Sequence, residues 1–236
     1  MRWQELTRTT YYNTNKTESI DIVIPKVTNK DREVNTLGIW CSGGTDSSLL
    51  LYLLCKEVQD KNLNIKVQPM SVRRQRPWNP VKASQVINKV IELLNFKNMK
   101  DHVIYYPNLD DADQTELKEF TDRDKNNFAT RVWDVLYDGI TSNPPHGTMS
   151  HDTDQVDRRN PDIDHVVIQD DGMGMRPFFN TNKQFVADMY RQQGLINTLL
   201  PLTWSCEGES DETNGYVTPC EKCWWCEERH WAFGKY

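Results

Sequence analysis

Two clusters of residues in this sequence carry chemistry. The first is "SGGTDSS", in which Ser42, Gly43, Gly44, Thr45, Asp46, Ser47 and Ser48 separate the apolar runs "TLGIWC" and "LLLYLLC". A strand that feeds a glycine-rich turn and then a helix gathers unsatisfied backbone N–H groups and the positive end of the helix dipole around one point. That point favours a phosphate. Gly43 and Gly44 permit close backbone approach, Ser42 and Ser47 add hydroxyl donors, and Asp46 stands where it could cap the helix or organise Mg2+. The turn has neither the G-x-x-x-x-G-K-[ST] nor the G-x-G-x-x-G spacing, so two common nucleotide loops are excluded. The bland alternative is a well-capped strand-to-helix turn without a ligand.

The second cluster is Cys206, Cys220, Cys223 and Cys226, spaced C-x13-C-x2-C-x2-C near the carboxyl end. Four thiolates at these intervals can wrap a tetrahedral Zn2+, and a closed four-sulfur site implies a structural metal, since no position is left open for chemistry. An iron–sulfur cluster is the competing reading, although the C-x3-C-P continuation of ferredoxin runs is missing. Trp224 and Trp225, between the last two ligands, are expected to pack the metal knuckle. Cys41 and Cys55, in apolar context, are expected in the core with no chemistry.

The elements that must position these clusters follow from periodicity. "TLGIWC" at 36–41 reads as a buried strand and residues 47–60 as a helix, with Leu49, Leu50, Leu53 and Leu54 spaced to face a sheet. Strands are predicted at 64–70 and 101–107, with a helix at 80–96 between them. "NFATRVWDVLYDGI" predicts a helix over 127–140 and "GITSN" a strand over 139–143. Residues 143–165, with three prolines, predict a long loop, "VVIQD" a short strand, and 181–200 a helix capped by Asn180 or Thr181 and broken at Gly194. Alternation of strands and helices predicts an α/β fold with a doubly wound, mainly parallel sheet. The expected division is a polar lead-in at 1–35 with one peripheral strand ending at Pro25, an α/β domain at 36–200, and a zinc-binding tail at 201–236.

Composition bounds the rest. Against 34 acidic residues stand 28 basic ones, a net charge of −6, with no basic stripe to track a nucleic-acid backbone, so stable nucleic-acid binding is not expected. The longest apolar runs are far short of the roughly 20 residues of a membrane span, and residues 1–18 lack an apolar signal segment, so a cytoplasmic protein is expected.

"SGGTDSS" after a buried strand resembles the S-G-G-x-D-S pyrophosphate loop of the PP-loop, or N-type, ATP pyrophosphatases. The segment 176–233 is similar to the carboxyl-terminal block of one branch, the 7-cyano-7-deazaguanine synthases of queuosine biosynthesis. The matching positions are Pro177, Lys183, Gly194, Thr203-Trp204-Ser205-Cys206, Cys220, Cys223, Cys226, Arg229 and Phe233, with Gln75-Arg76 as counterpart of the family's Gln-Arg-His. Pro77 stands where that histidine would follow, and the family's deazapurine-binding segment has no counterpart between 140 and 170.

The resemblance implies an adenine-nucleotide α-hydrolase-like fold and an ATP-dependent ligase that adenylates a carboxylate. With ammonia it would turn 7-carboxy-7-deazaguanine into 7-cyano-7-deazaguanine. It implies ATP, Mg2+ and Zn2+ as cofactors, a deazapurine carboxylate and ammonia as partners, and a homodimer. ATP would lie against Ser42, Gly43, Gly44, Thr45, Asp46, Ser47 and Ser48, and catalysis would rest on Asp46, Ser47, Arg76 and Lys183. Arg73 and Arg74 are further candidate cations, each with a bland reading as a solvated charge. His146, His151 and His165 read as solvated loop histidines, and Asp170-Asp171-Gly172 as a turn. Two alternatives stay open. One is another adenylating PP-loop enzyme with a different acceptor, although metal-bound cysteines speak against sulfur transfer. The other is a catalytically silent, zinc-stabilised binding module.

Overall fold

The computed structural model describes residues 4–73, 78–106, 114–150, 166–169 and 172–236, with the side chains of 114–121 and 166–172 left aside. The elements are β1 (Gln4–Tyr12), β2 (Ser19–Val27), β3 (Thr36–Trp40), α1 (Thr45–Asp60), β4 (Lys66–Val72), α2 (Trp78–Leu94), β5 (Val103–Tyr105), α3 (Gln114–Ala129), β6 (Val135–Tyr137), β7 (Val166–Gln169), β8 (Gly172–Met175), α4 (Lys183–Gln192) and α5 (Trp224–Phe233).

A six-stranded sheet runs in the order β5-β4-β3-β6-β8-β7, with every neighbouring pair parallel except the edge pair β7–β8. Counted within the sheet, the parallel strands stand 3-2-1-4-5, the order of doubly wound nucleotide-binding sheets. The chain steps outward from β3 through β4 to β5 and then returns past β3 to β6. Right-handed crossovers therefore place α1 and α2 on one face, and the reversal sends α3 to the other. The α/β fold with a mainly parallel sheet expected from the sequence is the one observed.

α1 is buried almost all round: Leu49, Leu50, Leu51, Leu53, Leu54 and Cys55 are all 0% exposed. The stripe read from the sequence accounts for one side only. α2, α4 and β2 cover the others, which is why the run is continuously apolar.

Three expectations change. The lead-in is an antiparallel hairpin, β1–β2, and β2 lays Ile20, Ile22 and Ile24 into the main core, where Tyr137 Oη donates to Val23 O at 2.6 Å. Pro25 does not end β2. It sits at a register irregularity opposite Glu5, where a missing N–H is tolerated. The helix expected at 127–140 is displaced: α3 ends at Ala129, Arg131 takes the left-handed conformation (φ 58°), and "VLY" is the buried strand β6, so no strand forms at 139–143. Asp134, just before β6, accepts from the N–H groups of Asn35 (2.8 Å) and Thr36 (3.0 Å), which pins the starts of β6 and β3 together. That polar clamp across 99 residues outweighs the helical propensity of the local sequence. Last, α4 starts at the cap Asn182, whose side chain accepts from Gln184 N, and it stops before Gly194. Among the described residues no helix is long and apolar enough to cross a membrane.

The hairpin's place in the core has a measurable consequence. Ile22→Ala is expected to cost about 2–5 kcal/mol, the range for emptying a fully buried aliphatic site. A urea midpoint unchanged from that of the parent would show the hairpin to be peripheral.

Candidate active site and thiolate tail

Parallel α/β sheets bind ligands beyond the carboxyl ends of their strands, where the strand order reverses. Here the reversal lies between β3 and β6. A cavity of about 530 Å3 opens there, lined by the ends of β3 and β4, the turn after β6, the 42–47 loop, Lys183 and the tail.

The loop is closed on itself. Ser47 Oγ accepts from Ser42 N (3.2 Å), shares a hydrogen bond with Ser42 Oγ (3.1 Å) and donates to Gly44 O (3.3 Å), while Gly44 N donates to Ser42 Oγ (3.2 Å). Gly44 is the N-cap of α1 and has no side chain to satisfy the first turn. Among the described residues no acceptor meets the N–H groups of Thr45, Asp46 and Ser47. Three open donors at the positive end of a 16-residue helix make an anion-receptive point on the cavity wall.

Two glycines make this packing possible. Gly43 has φ +80°, and a Cβ there would lie 2.8 Å from Ala83 N, so the loop presses on α2. At Gly139, after β6, a Cβ would lie 2.9 Å from Ser47 N, so that turn hugs the start of α1. Ser48 is fully buried and its hydroxyl donates to Gly44 O at 2.6 Å, so it locks the helix start instead of lining the cavity.

Asp46 does not cap α1. Its carboxylate takes a hydrogen bond from Thr45 Oγ1 (3.1 Å) and pairs with Lys183 Nζ at 3.0 Å. Lys183, only 5% exposed along its side chain, also meets Glu228 at 2.7 Å. Burial opposes the charge on the ammonium, but the attraction of Asp46 and Glu228 and its hydrogen bonds to both outweigh it. The Lys183 pKa is therefore raised above the usual lysine value. Glu228 is pushed above the ordinary carboxylate value by burial, with the pull of Lys183 working against that and the repulsion of Asp46 adding to it. Glu228 was not singled out from the sequence. No local signal in "CEERHW" says that its second glutamate turns inward.

The four cysteines do come together. Their Sγ atoms all lie within 4.8 Å of one another. Cys206 Sγ accepts from Gly208 N (3.2 Å) and Cys220 N (3.2 Å), and Cys223 Sγ from Glu207 N (3.5 Å). Backbone donors around clustered sulfurs stabilise thiolates, so the donor set and its surroundings fit a zinc ion. The knuckle is packed by Trp78, Trp204 and Tyr216. Trp224 and Trp225, expected in that role, instead stand half-buried on the cavity wall, edge to face at 5.7 Å.

The tail is bonded to the 42–47 loop. Trp204 N donates to Gly43 O at 2.8 Å, and the Arg229 guanidinium donates to Thr203 O (3.2 Å), Thr203 Oγ1 (2.8 Å) and Leu200 O (3.1 Å). Cys41 and Cys55 are buried, and burial pushes the Cys41 thiol up to about 11, as suits cysteines with no chemistry. Arg73 is exposed and lies over the Tyr106 ring at 5.6 Å, outside the cavity lining. His146 is exposed. Arg74, Gln75, Arg76, Pro77, His151, His165, Asp170 and Asp171 lie outside the described residues.

No protein-family model matches the chain, and no curated protein does. Among solved structures the chain is similar to NAD+ synthetase from Burkholderia pseudomallei, at 12% identity and a TM-score of 0.41, over 86% of this chain and 75% of that one. The strand order and the site by themselves define a mainly parallel α/β domain with an anion-receptive helix start over its carboxyl edge and a tail of four clustered cysteines that could hold a metal.

The buried charge cluster and the tail can each be tested. Lys183→Met leaves Glu228 and Asp46 facing each other and is expected to cost about 3–5 kcal/mol at neutral pH in urea unfolding. Burial raises the pH at which Glu228 titrates in the folded state above that of an ordinary carboxylate. The deficit should therefore be smallest below that pH and should grow as the pH rises through the Glu228 titration. A pH-independent deficit would mean that only packing was lost. For the tail, one zinc per chain is expected by elemental analysis, with Cys220→Ser releasing it and lowering the melting temperature by about 10 °C. Iron with sulfide in place of zinc would overturn this assignment.

Proposed function

We propose that the chain is an ATP-dependent, AMP-forming ligase that adenylates a carboxylate and converts it with ammonia. Its acceptor on this reading is 7-carboxy-7-deazaguanine, taken through the amide to 7-cyano-7-deazaguanine for modified guanine in tRNA or DNA. One observation carries the reading: three open N–H groups at the start of α1 share a cavity with a buried, doubly paired lysine, over the carboxyl ends of parallel strands. The S-G-G-x-D-S pattern and the T-W-S-C with C-x2-C-x2-C tail point the same way.

In the reaction, a carboxylate oxygen attacks the α-phosphorus of ATP, the bond to the bridging oxygen breaks, and pyrophosphate departs with the electron pair. The N–H groups of Thr45, Asp46 and Ser47 receive that charge. Ammonia then attacks the acyl carbon, AMP leaves with the bonding pair, and loss of a proton from nitrogen gives the amide. A second ATP is attacked by the amide oxygen. Pyrophosphate departs again with the electron pair, one N–H proton is lost to give the imidate, and departure of AMP with the C–O bonding pair and loss of the second N–H proton leave the nitrile.

Lys183 offsets negative charge at the α-phosphate, and Asp46 and Glu228 hold it protonated and aimed. Mg2+, when bound, would neutralise charge on the phosphates, with Asp46 as the carboxylate on hand. Arg76 is the proposed cation from the β4 side. Trp224 and Trp225 suit a planar heteroaromatic acceptor, because large flat rings stack well and lose little conformational freedom on binding.

Incubation with Mg2+, ATP, ammonium and 7-carboxy-7-deazaguanine is expected to yield AMP, pyrophosphate and a nitrile product by mass spectrometry. Asp46→Ala should slow AMP release by about 100-fold or more, the scale of a lost electrostatic contact in a transition state. AMP formed only with other carboxylates would move the acceptor, and no AMP with any of them would overturn the ligase reading.

A further inference from the structure

Buried polar atoms without partners are rare and costly, so a cavity that collects them is built for a ligand that supplies the missing bonds. Two such donors stand beside the phosphate loop. Trp78, at the start of α2, is 7% exposed, and its indole Nε1 has no hydrogen-bond partner among the described residues. Ser205, between Trp204 and the thiolate ligand Cys206, buries an Oγ that likewise has none. Both residues line the cavity.

Their placement is specific. A Cβ at Gly44, the cap of α1, would lie 3.9 Å from Ser205 Oγ and 3.6 Å from Trp204 O. The hydroxyl therefore stands beside the cap residue that immediately precedes the open N–H groups of Thr45, Asp46 and Ser47. Trp78 packs edge to face on Trp204 at 5.8 Å, and the Lys82 ammonium lies 4.8 Å over the Trp204 ring, so positive charge backs this side of the cavity. Asn79 Oδ1 is also unpartnered, but as an acceptor it takes no part in holding an anion.

We propose that Ser205 Oγ and Trp78 Nε1 form the second half of the diphosphate cradle, donating to the leaving pyrophosphate beside the α1 N-terminus. This rests on the proposed function in taking the anion to be the β,γ-diphosphate of ATP. It adds a role for the thiolate tail: by holding residue 206, the metal site holds Ser205 against the loop, and Trp204 N donating to Gly43 O fixes the spacing. The tail then completes the phosphate site as well as stabilising the fold.

Ser205→Ala removes the hydroxyl oxygen alone, and Trp78→Phe removes the indole N–H together with one ring while keeping an aromatic face against Trp204. Calorimetric titration of the zinc-loaded full chain with magnesium pyrophosphate is expected to show each variant binding about tenfold more weakly than the parent, the scale of a hydrogen bond to a charged group. AMP, which lacks the diphosphate, should bind both variants as it binds the parent, with zinc content unchanged in both and the melting temperature unchanged in Ser205→Ala. Pyrophosphate affinity equal to the parent's in both variants would overturn the cradle while leaving the ligase reading intact. Equal losses for AMP and pyrophosphate would also overturn it, since that pattern marks a packing role. If the parent binds pyrophosphate and the variants weaken it, yet no carboxylate yields AMP, the cradle stands and the ligase reading falls.

Discussion

The Lys183 ammonium is the point at which three otherwise separate parts of the chain must agree. Asp46 arrives from the start of α1, Lys183 from the first turn of α4 and Glu228 from α5, and their charged ends meet within 3.0 Å on the cavity wall. A buried ammonium is tolerated only when paired and hydrogen-bonded. The fold must therefore hold both carboxylates in place, and in doing so it sets the distance between the 42–47 loop and the tail. The ammonium stands between two carboxylates, of which Asp46 is the more exposed and Glu228 the more buried.

The tail is accordingly part of the site. α5 begins at the thiolate cap Cys223, and its first turns place Trp224 and Trp225 on the cavity, Cys226 on the sulfur cluster, Glu228 on Lys183 and Arg229 on the carbonyls of Leu200 and Thr203. Five side chains in six residues point to four different partners, which a single helix can do only if something outside it fixes its rotation. The sulfur cluster at its first turn and the Arg229 bonds one turn further on supply that constraint.

Much of this was legible locally. The buried strand before "SGGTDSS", the long apolar helix after it, the alternation of strands and helices and the close-spaced cysteines all follow from periodicity or from residue type at short range. The failures share a cause. β6 was read as helix because its strand character comes from pairing with β3 and from Asp134 clamping the start of that strand. β8, "GMGM", has no β-branched residue and forms because β6 and β7 flank it. The lead-in looked polar because β1 is mostly exposed, whereas β2 beside it lays its isoleucines into the core.

The sequence by itself determined the short-range chemistry: a helix start stripped of side-chain caps at Gly44, and four sulfurs at intervals a metal can gather. Tertiary structure alone decided what faces those groups. Glu228 on Lys183, Trp224 and Trp225 on the cavity, and Ser205 beside Gly44 are contacts between elements far apart in the chain. Local propensity sees hydrogen-bond reach along a turn or a strand. It cannot see which of two faces a charged or aromatic residue presents once packing around a shared core has set each helix's rotation.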